Sequence, residues 1–195
     1  MTADTAGTVF PAETVLSDGS VYRVVPVEAG VRAIRAWAEH PWPMSPAQAL
    51  ALRDRLGWTS SPTEEWMFTT DHGIGEKDAS FNTIEAGGDT RTVSSFHLSL
   101  TSRIPKPVRA EAVPTAERAF NAYVEALTAV YGQGARSRSR GVLSVKWTPP
   151  NDTLVDIGTV GRVVSVDVDS PALNEAARGE AQYFAEIADE NDPAR

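Results

Sequence analysis

"VSSFHLSLTS", residues 93–102, alternates apolar and polar side chains along its length. Phe96, Leu98 and Leu100 face one way, and Ser95, His97 and Ser99 face the other. A repeat of two is that of a β-strand with one buried face and one wet face. The same rhythm returns in "RVVSVDVDS" (162–170), where Val164, Val166 and Val168 point in and Ser165, Asp167 and Asp169 point out. Strands that are polar on one side only belong to an antiparallel sheet with a single covered face.

The flanking segments extend this reading. "EWMFTTD" (65–71) and "ASFNTIEA" (79–86) precede the first strand, with "GGDT" (87–90) as a hairpin turn. "VLSVKWT" (142–148) and "TLVDIGTV" (153–160) precede the second. Helices supply the cover. "EAGVRAIRAWAEH" (28–40) carries Val31, Ile34 and Ala38 at helical spacing, although Gly30 weakens it. A second helix opens on Ser45, Pro46 and Gln48, an N-cap, a first-position proline and a capping-box partner. Ala49, Leu52 and Leu56 are its stripe, and Gly57 ends it. A third helix spans 115–131, with Phe120, Tyr123, Leu127 and Val130 on one face and Gly132 as its stop. A last helix starts at Ser170 and Pro171, and Leu173, Ala177, Phe184 and Ala188 form its expected buried side.

Two stretches read as connections. The prolines of "RIPKPVRAEAVP" (103–114) predict a crossover, and "GQGARSRSRG" (132–141) predicts a flexible basic loop. "VYRVVPV" (21–27) is a short strand that Pro26 pushes towards an edge. The expected fold is α+β in the order α-βββ-α-βββ-α: two three-stranded antiparallel meanders in one sheet, covered on one face by helices. The halves share a layout but no residue-level repeat, so an internal duplication stays open. Residues 1–20 are expected to be a flexible arm and 21–190 a single domain.

The formal charge of −8 and the absence of cysteine narrow the chemistry. An acidic field disfavours nucleic acid and favours solubility, or a basic partner. Arg136, Arg138 and Arg140, without interleaved aromatics, do not offset it. Thiol nucleophiles, disulfides and cysteine-held zinc are excluded. No apolar run is long enough for a bilayer and the start lacks a signal-peptide pattern, so a cytoplasmic location without membrane attachment is expected.

"TTDHGIGEKDASF" (69–81) holds the densest set of chemical groups. Asp71, His72, Glu76 and Asp78 do not match a calcium loop, the phosphate-loop pattern is absent, and His40 and His97 are remote in sequence. The stretch reads as a turn between strands, with Gly73 and Gly75 supplying positive φ angles. His97 lies between Ser95 and Ser99, but a Ser–His pair needs a carboxylate to orient it and an oxyanion hole. Asp152, Asp156, Asp167 and Asp169 share an outer face if their strands pair; they read as solvated carboxylates or, because like charges across strands cost stability, as a recognition surface for a positive partner. No catalytic residue, metal or cofactor is expected.

The segments "HPWPMSPAQALALRDRLGW", "WMFTTDHG", "AFNAYVEALTAVYG", "KWTPPNDTLVDIG" and "VVSVDVDSP" together resemble a group of small uncharacterised actinobacterial proteins. In that group a Trp-Pro helix ending in Leu-Gly-Trp precedes a Thr-Asp-His-Gly turn. The likeness runs from Trp37 to Pro171 and implies no activity. Proteins of this size and type are similar to immunity proteins encoded beside secreted polymorphic toxins.

The expected function is therefore a non-catalytic protein-binding module, most concretely an immunity protein that occludes a basic toxin, acting as monomer or homodimer. Its binding residues would be Asp71, His72, Glu76, Asp156, Asp167 and Asp169, with Trp58 and Trp147 as anchors. One alternative is a small-ligand protein or enzyme using the Asp71-His72-Gly73 turn. Another is a secretion-associated chaperone or adaptor. The binding-module reading expects the polar groups to lie on separate outward surfaces that never converge in a cleft.

Overall fold

The computed structural model describes residues 13–88 and 90–190, and for Ala185 and 188–190 the backbone alone. β1 (Glu13–Val15) and β2 (Val21–Arg23) form a hairpin, so of the residues expected in the arm Glu13–Val15 are paired and 16–20 make the connection. Residues 1–12, the rest of that arm, lie outside the described residues. Ser17 bonds Glu111 through both its backbone N–H (2.9 Å) and its hydroxyl, which ties the hairpin to the third helix.

Helices α1 (Val27–Ala38) and α2 (Pro46–Arg55) follow. The capping box is present at α2: the Gln48 N–H donates to Ser45 Oγ (3.3 Å), and the Ser45 N–H donates to Gln48 Oε1 (2.8 Å). Four strands then run as a meander: β3 (Thr59–Ser60), β4 (Met67–Thr69), β5 (Ala79–Glu85) and β6 (Arg91–Ser99). After α3 (Arg109–Tyr131) a second meander of four strands runs through β7 (Ala135–Ser139), β8 (Val142–Trp147), β9 (Leu154–Thr159) and β10 (Val164–Asp169), before α4 (Pro171–Glu190). The eight strands form one antiparallel sheet in the order β3-β4-β5-β6-β10-β9-β8-β7. The two meanders meet through their last strands, with Asp167 of β10 opposite His97 of β6 at the centre of the seam.

Several expectations change. Each meander has four strands, not three. β3 is too short to show a period, and β7 is the segment read as a basic loop. β7 alternates Arg with Ser and closes on a turn at Arg140 and Gly141, both at positive φ. α3 begins within the stretch assigned to a crossover, at Arg109, and contains Pro114. A proline this near the start removes one intrahelical bond, to the Ala110 carbonyl, and the burial of Ala112, Ala116 and Phe120 outweighs that loss. Gly75 is not at positive φ, and Lys77 (54°) takes that conformation in its place.

One face of the sheet carries the core. Val164, Val166, Val168, Phe96, Leu98, Val155 and Ile157 are all buried against α1 and α3. Trp37 of α1 stacks on Phe96 with ring centres 4.1 Å apart, and Trp58 lies 6.1 Å away on the same ring. Tyr123 of α3 is fully buried and donates to the Val25 carbonyl (2.9 Å). Val130 is 38% exposed and does not join that face. The sides of α4 expected to be buried are not: Ala177 is exposed and Phe184 is 60% exposed, while the Ala188 side chain lies outside the described residues.

Candidate functional site

Among the described residues no helix lies over the centre of the other face of the sheet, and the strand registers dictate what it displays. Met67, Ser80, His97, Asp167, Asp156, Lys146 and Ala135 stand directly opposite one another from β4 to β7. They form one row across the strands with a charged centre. His97 Nδ1 lies 2.8 Å from Asp167 Oδ1, and Lys146 Nζ lies 3.1 Å from Asp156 Oδ2. Asp167 and Asp156 are direct cross-strand neighbours, an arrangement that costs stability for like charges. Asp156 Oδ1 is shielded from solvent and has no hydrogen-bond partner among the described residues.

Rows of smaller side chains flank the charges. On one side run Ser99, Ser165, Gly158, Ser144 and Ser137, and the last two hydroxyls are 2.9 Å apart. Ser165, Gly158, Ser144 and Ser137 line a hollow of about 520 Å³ over β7–β10, together with Lys146, Asp156, Asp167 and Arg140. On the other side Asn82, Ser95, Asp169 and Leu154 follow in register. Burial, with the neighbouring charges of Asp167 and Asp156, pushes the Asp169 carboxyl up to about 6, and Lys146 opposes the rise.

Asp156, Asp167 and Asp169 thus share one surface. His97, set aside for lack of an orienting carboxylate, has one in Asp167. The expectation that polar groups never converge is corrected here: the β6–β10 pairing brings residues 97 and 167 together, and no local pattern in either segment encodes that pairing. No three acidic or imidazole groups among the described residues are placed to hold a metal ion together.

The other proposed residues sit elsewhere. Asp71, His72 and Glu76 lie in the β4–β5 connection, and the hollow over β7–β10 does not reach them. Buried Asp78 holds this loop closed. Its carboxylate accepts from the Thr70 N–H (2.7 Å) and hydroxyl (2.5 Å), and burial raises its pKa. His72 is turned inward, 11% exposed, edge-on to Trp58 and 3.4 Å from Asp71, with no partner at Nε2 among the described residues. Trp58 and Trp147 are 4% and 3% exposed. Trp147 donates to the Gly132 carbonyl (2.9 Å), and Trp58 packs on Phe96. They are core residues, so the role of surface anchor does not fall to them.

Residues 28–170 match a family of unknown function (DUF6301). The chain belongs to that family. In this DUF6301 member the match spans α1 to the end of β10, so it takes in the whole eight-stranded sheet and every residue of the charged row. No curated protein and no solved structure matches the chain. Among the described residues no helix is long and apolar enough to cross a membrane.

Proposed function

We propose that this DUF6301 protein is a non-catalytic binding module that receives a basic protein partner on the uncovered sheet face. In its most concrete form it is a cytoplasmic immunity protein of actinobacterial type that neutralises a toxin by occlusion. The observation that carries the reading is the cross-strand pair Asp156–Asp167 on a face without helical cover. Adjacent carboxylates repel, Lys146 answers that repulsion only at Asp156, and a cationic side chain from a partner offsets what remains. The serine and glycine row beside them is low, so a partner backbone or a long Lys or Arg stem approaches the charges without a clash.

An enzyme built on His72 has less support, because Trp58 stands against its ring and its loop is closed by Asp78. The test is co-expression with the secreted toxin encoded by a neighbouring gene. Wild-type protein is expected to protect the cells and to co-purify with the toxin. An Asp156→Asn/Asp167→Asn/Asp169→Asn variant is expected to fold and to lose both properties. Full protection by the folded triple variant, or the absence of protection by the wild type, overturns the proposal.

A further inference from the structure

After its first turn helix α4 stands largely in solvent and reaches back to the body through Arg178, whose guanidinium lies 4.0 Å from the Asp152 carboxylate. Asn174 is buried and donates to the Asp152 carbonyl (2.9 Å), yet every residue from 175 to 184 is exposed. An isolated solvated helix of this kind gains little unless its apolar side is covered. That side is well defined: Leu173, Ala177, Ala181 and Phe184 recur at three- and four-residue steps, with Glu180 along the border. Tyr183 and Phe184 are each 60% exposed. The helix is also acidic, with five carboxylates against one arginine in 171–190.

A complementary surface lies on the same molecule. Between α1 and α2 there is an open groove of about 1050 Å³ whose apolar floor includes Val31, Leu52 and Leu56. Arg32, Arg35 and Arg55 line it, against the two carboxylates of Glu28 and Glu39. Arg35 is paired with Glu39 (2.7 Å), whereas Arg32 and Arg55 make no ion pair among the described residues. The groove therefore offers what α4 lacks, an apolar trough with unneutralised cations on its rim.

We propose that the occupant of this groove is α4 of a second copy of the chain. α4 runs from Pro171 to Glu190 and every residue from 175 to 184 is exposed, so its apolar strip is open to another molecule. A two-fold exchange fills both grooves at once and closes, which stops growth at a dimer. The acidic face of the sheet is excluded as the seat for α4 because Asp156 and Asp167 repel its carboxylates. This inference is independent of the proposed partner on the sheet face.

The test is size-exclusion chromatography with light scattering on the full chain across a concentration series. The expected result is a dimer that Phe184→Glu and Arg32→Glu/Arg55→Glu each weaken by at least tenfold in Kd. Both variants alter exposed side chains, and unchanged circular dichroism and melting confirm that they fold. Adding Glu180→Arg to Arg32→Glu/Arg55→Glu is expected to recover part of the lost affinity. Because the chain has no cysteine, Leu56→Cys with Ala181→Cys reports the exchange directly, as a disulfide between chains. A monomer at every concentration, a dimer indifferent to both sets of charges and to Phe184→Glu, or a disulfide formed only within one chain overturns the inference.

Discussion

Gly30 shows how a single residue sets the approach of two helices. In the sequence it reads as a flaw in α1. In the structure a Cβ at this position would stand 2.2 Å from Tyr123 Oη and 2.6 Å from Tyr123 Cε1. The tyrosine is fully buried and tied to the Val25 carbonyl, so it has no room to yield. Gly30→Ala is therefore expected to destabilise the fold by about 1–2 kcal/mol despite its better helix propensity, read as a lower denaturation midpoint at unchanged slope. A Gly30→Ala variant as stable as the wild type would show that α1 and α3 are not held this closely. Asp169 carries the opposite kind of strain. Its pKa is raised to about 6, so the folded state holds a proton that the unfolded chain has released. Its contribution is thus most favourable below the unfolded value near 4 and is lost as pH rises through about 6. Asp169→Asn should raise Tm at pH 7.5 by about 1–3 °C, a small gain because a half-buried carboxylate keeps part of its hydration. At pH 4 the gain should vanish, and a pH-independent difference would refute the assignment. The capping residues Ser45 and Gln48 were readable from their spacing, since a cap is a local device. The reasons for Gly30 and for the shift at Asp169 were not, because each depends on a residue far away in the chain.

Among the elements, those with a clean period declared themselves and those without one did not. β6 and β10 alternate and were found; β3 has two residues and β7 has no apolar residue beyond Ala135. β7 is also a sheet edge, with unpaired backbone groups along five residues. Arg136 and Arg138, both exposed, are the kind of charge that keeps such an edge from pairing with another chain. Arg136→Val/Arg138→Val is therefore expected to leave the fold intact and to raise self-association, seen as light scattering on warming and a thioflavin signal. Unchanged solubility would mean that the twist of the edge alone protects it. α3 teaches a different lesson. Pro114 suggested a break, yet the helix starts ahead of it, because tertiary burial of small residues outweighs one missing bond. α4 inverts the point: its apolar periodicity identified a helix correctly but does not reveal what, if anything, in the same chain covers that side.

For the molecule as a whole, the meander layout was legible while the joint between the halves was not. Each half announces itself by short-range strand order, but the β6–β10 seam joins residues about seventy positions apart. That seam produces both the continuous core and the charged row, so the candidate site is a consequence of topology more than of motif. It also predicts how the protein unfolds. Trp37, Trp42, Trp58 and Trp66 precede α3 and Trp147 follows it, yet Trp37 packs on Phe96, whose partner across the seam is Val168. Val166 pairs with Leu98 on one side and Ile157 on the other, with all three buried. With a single core crossing the seam, neither half keeps its apolar face covered alone, and unfolding should be one cooperative transition. Tryptophan fluorescence and far-ultraviolet circular dichroism should give coincident denaturation curves. Val166→Ala, which removes buried volume at the seam, should move both midpoints together, at a cost of about 1–3 kcal/mol. Curves that separate, with fluorescence leading, would mean that the half containing α1 and β3–β6 unfolds on its own and that the two meanders are distinct folding units.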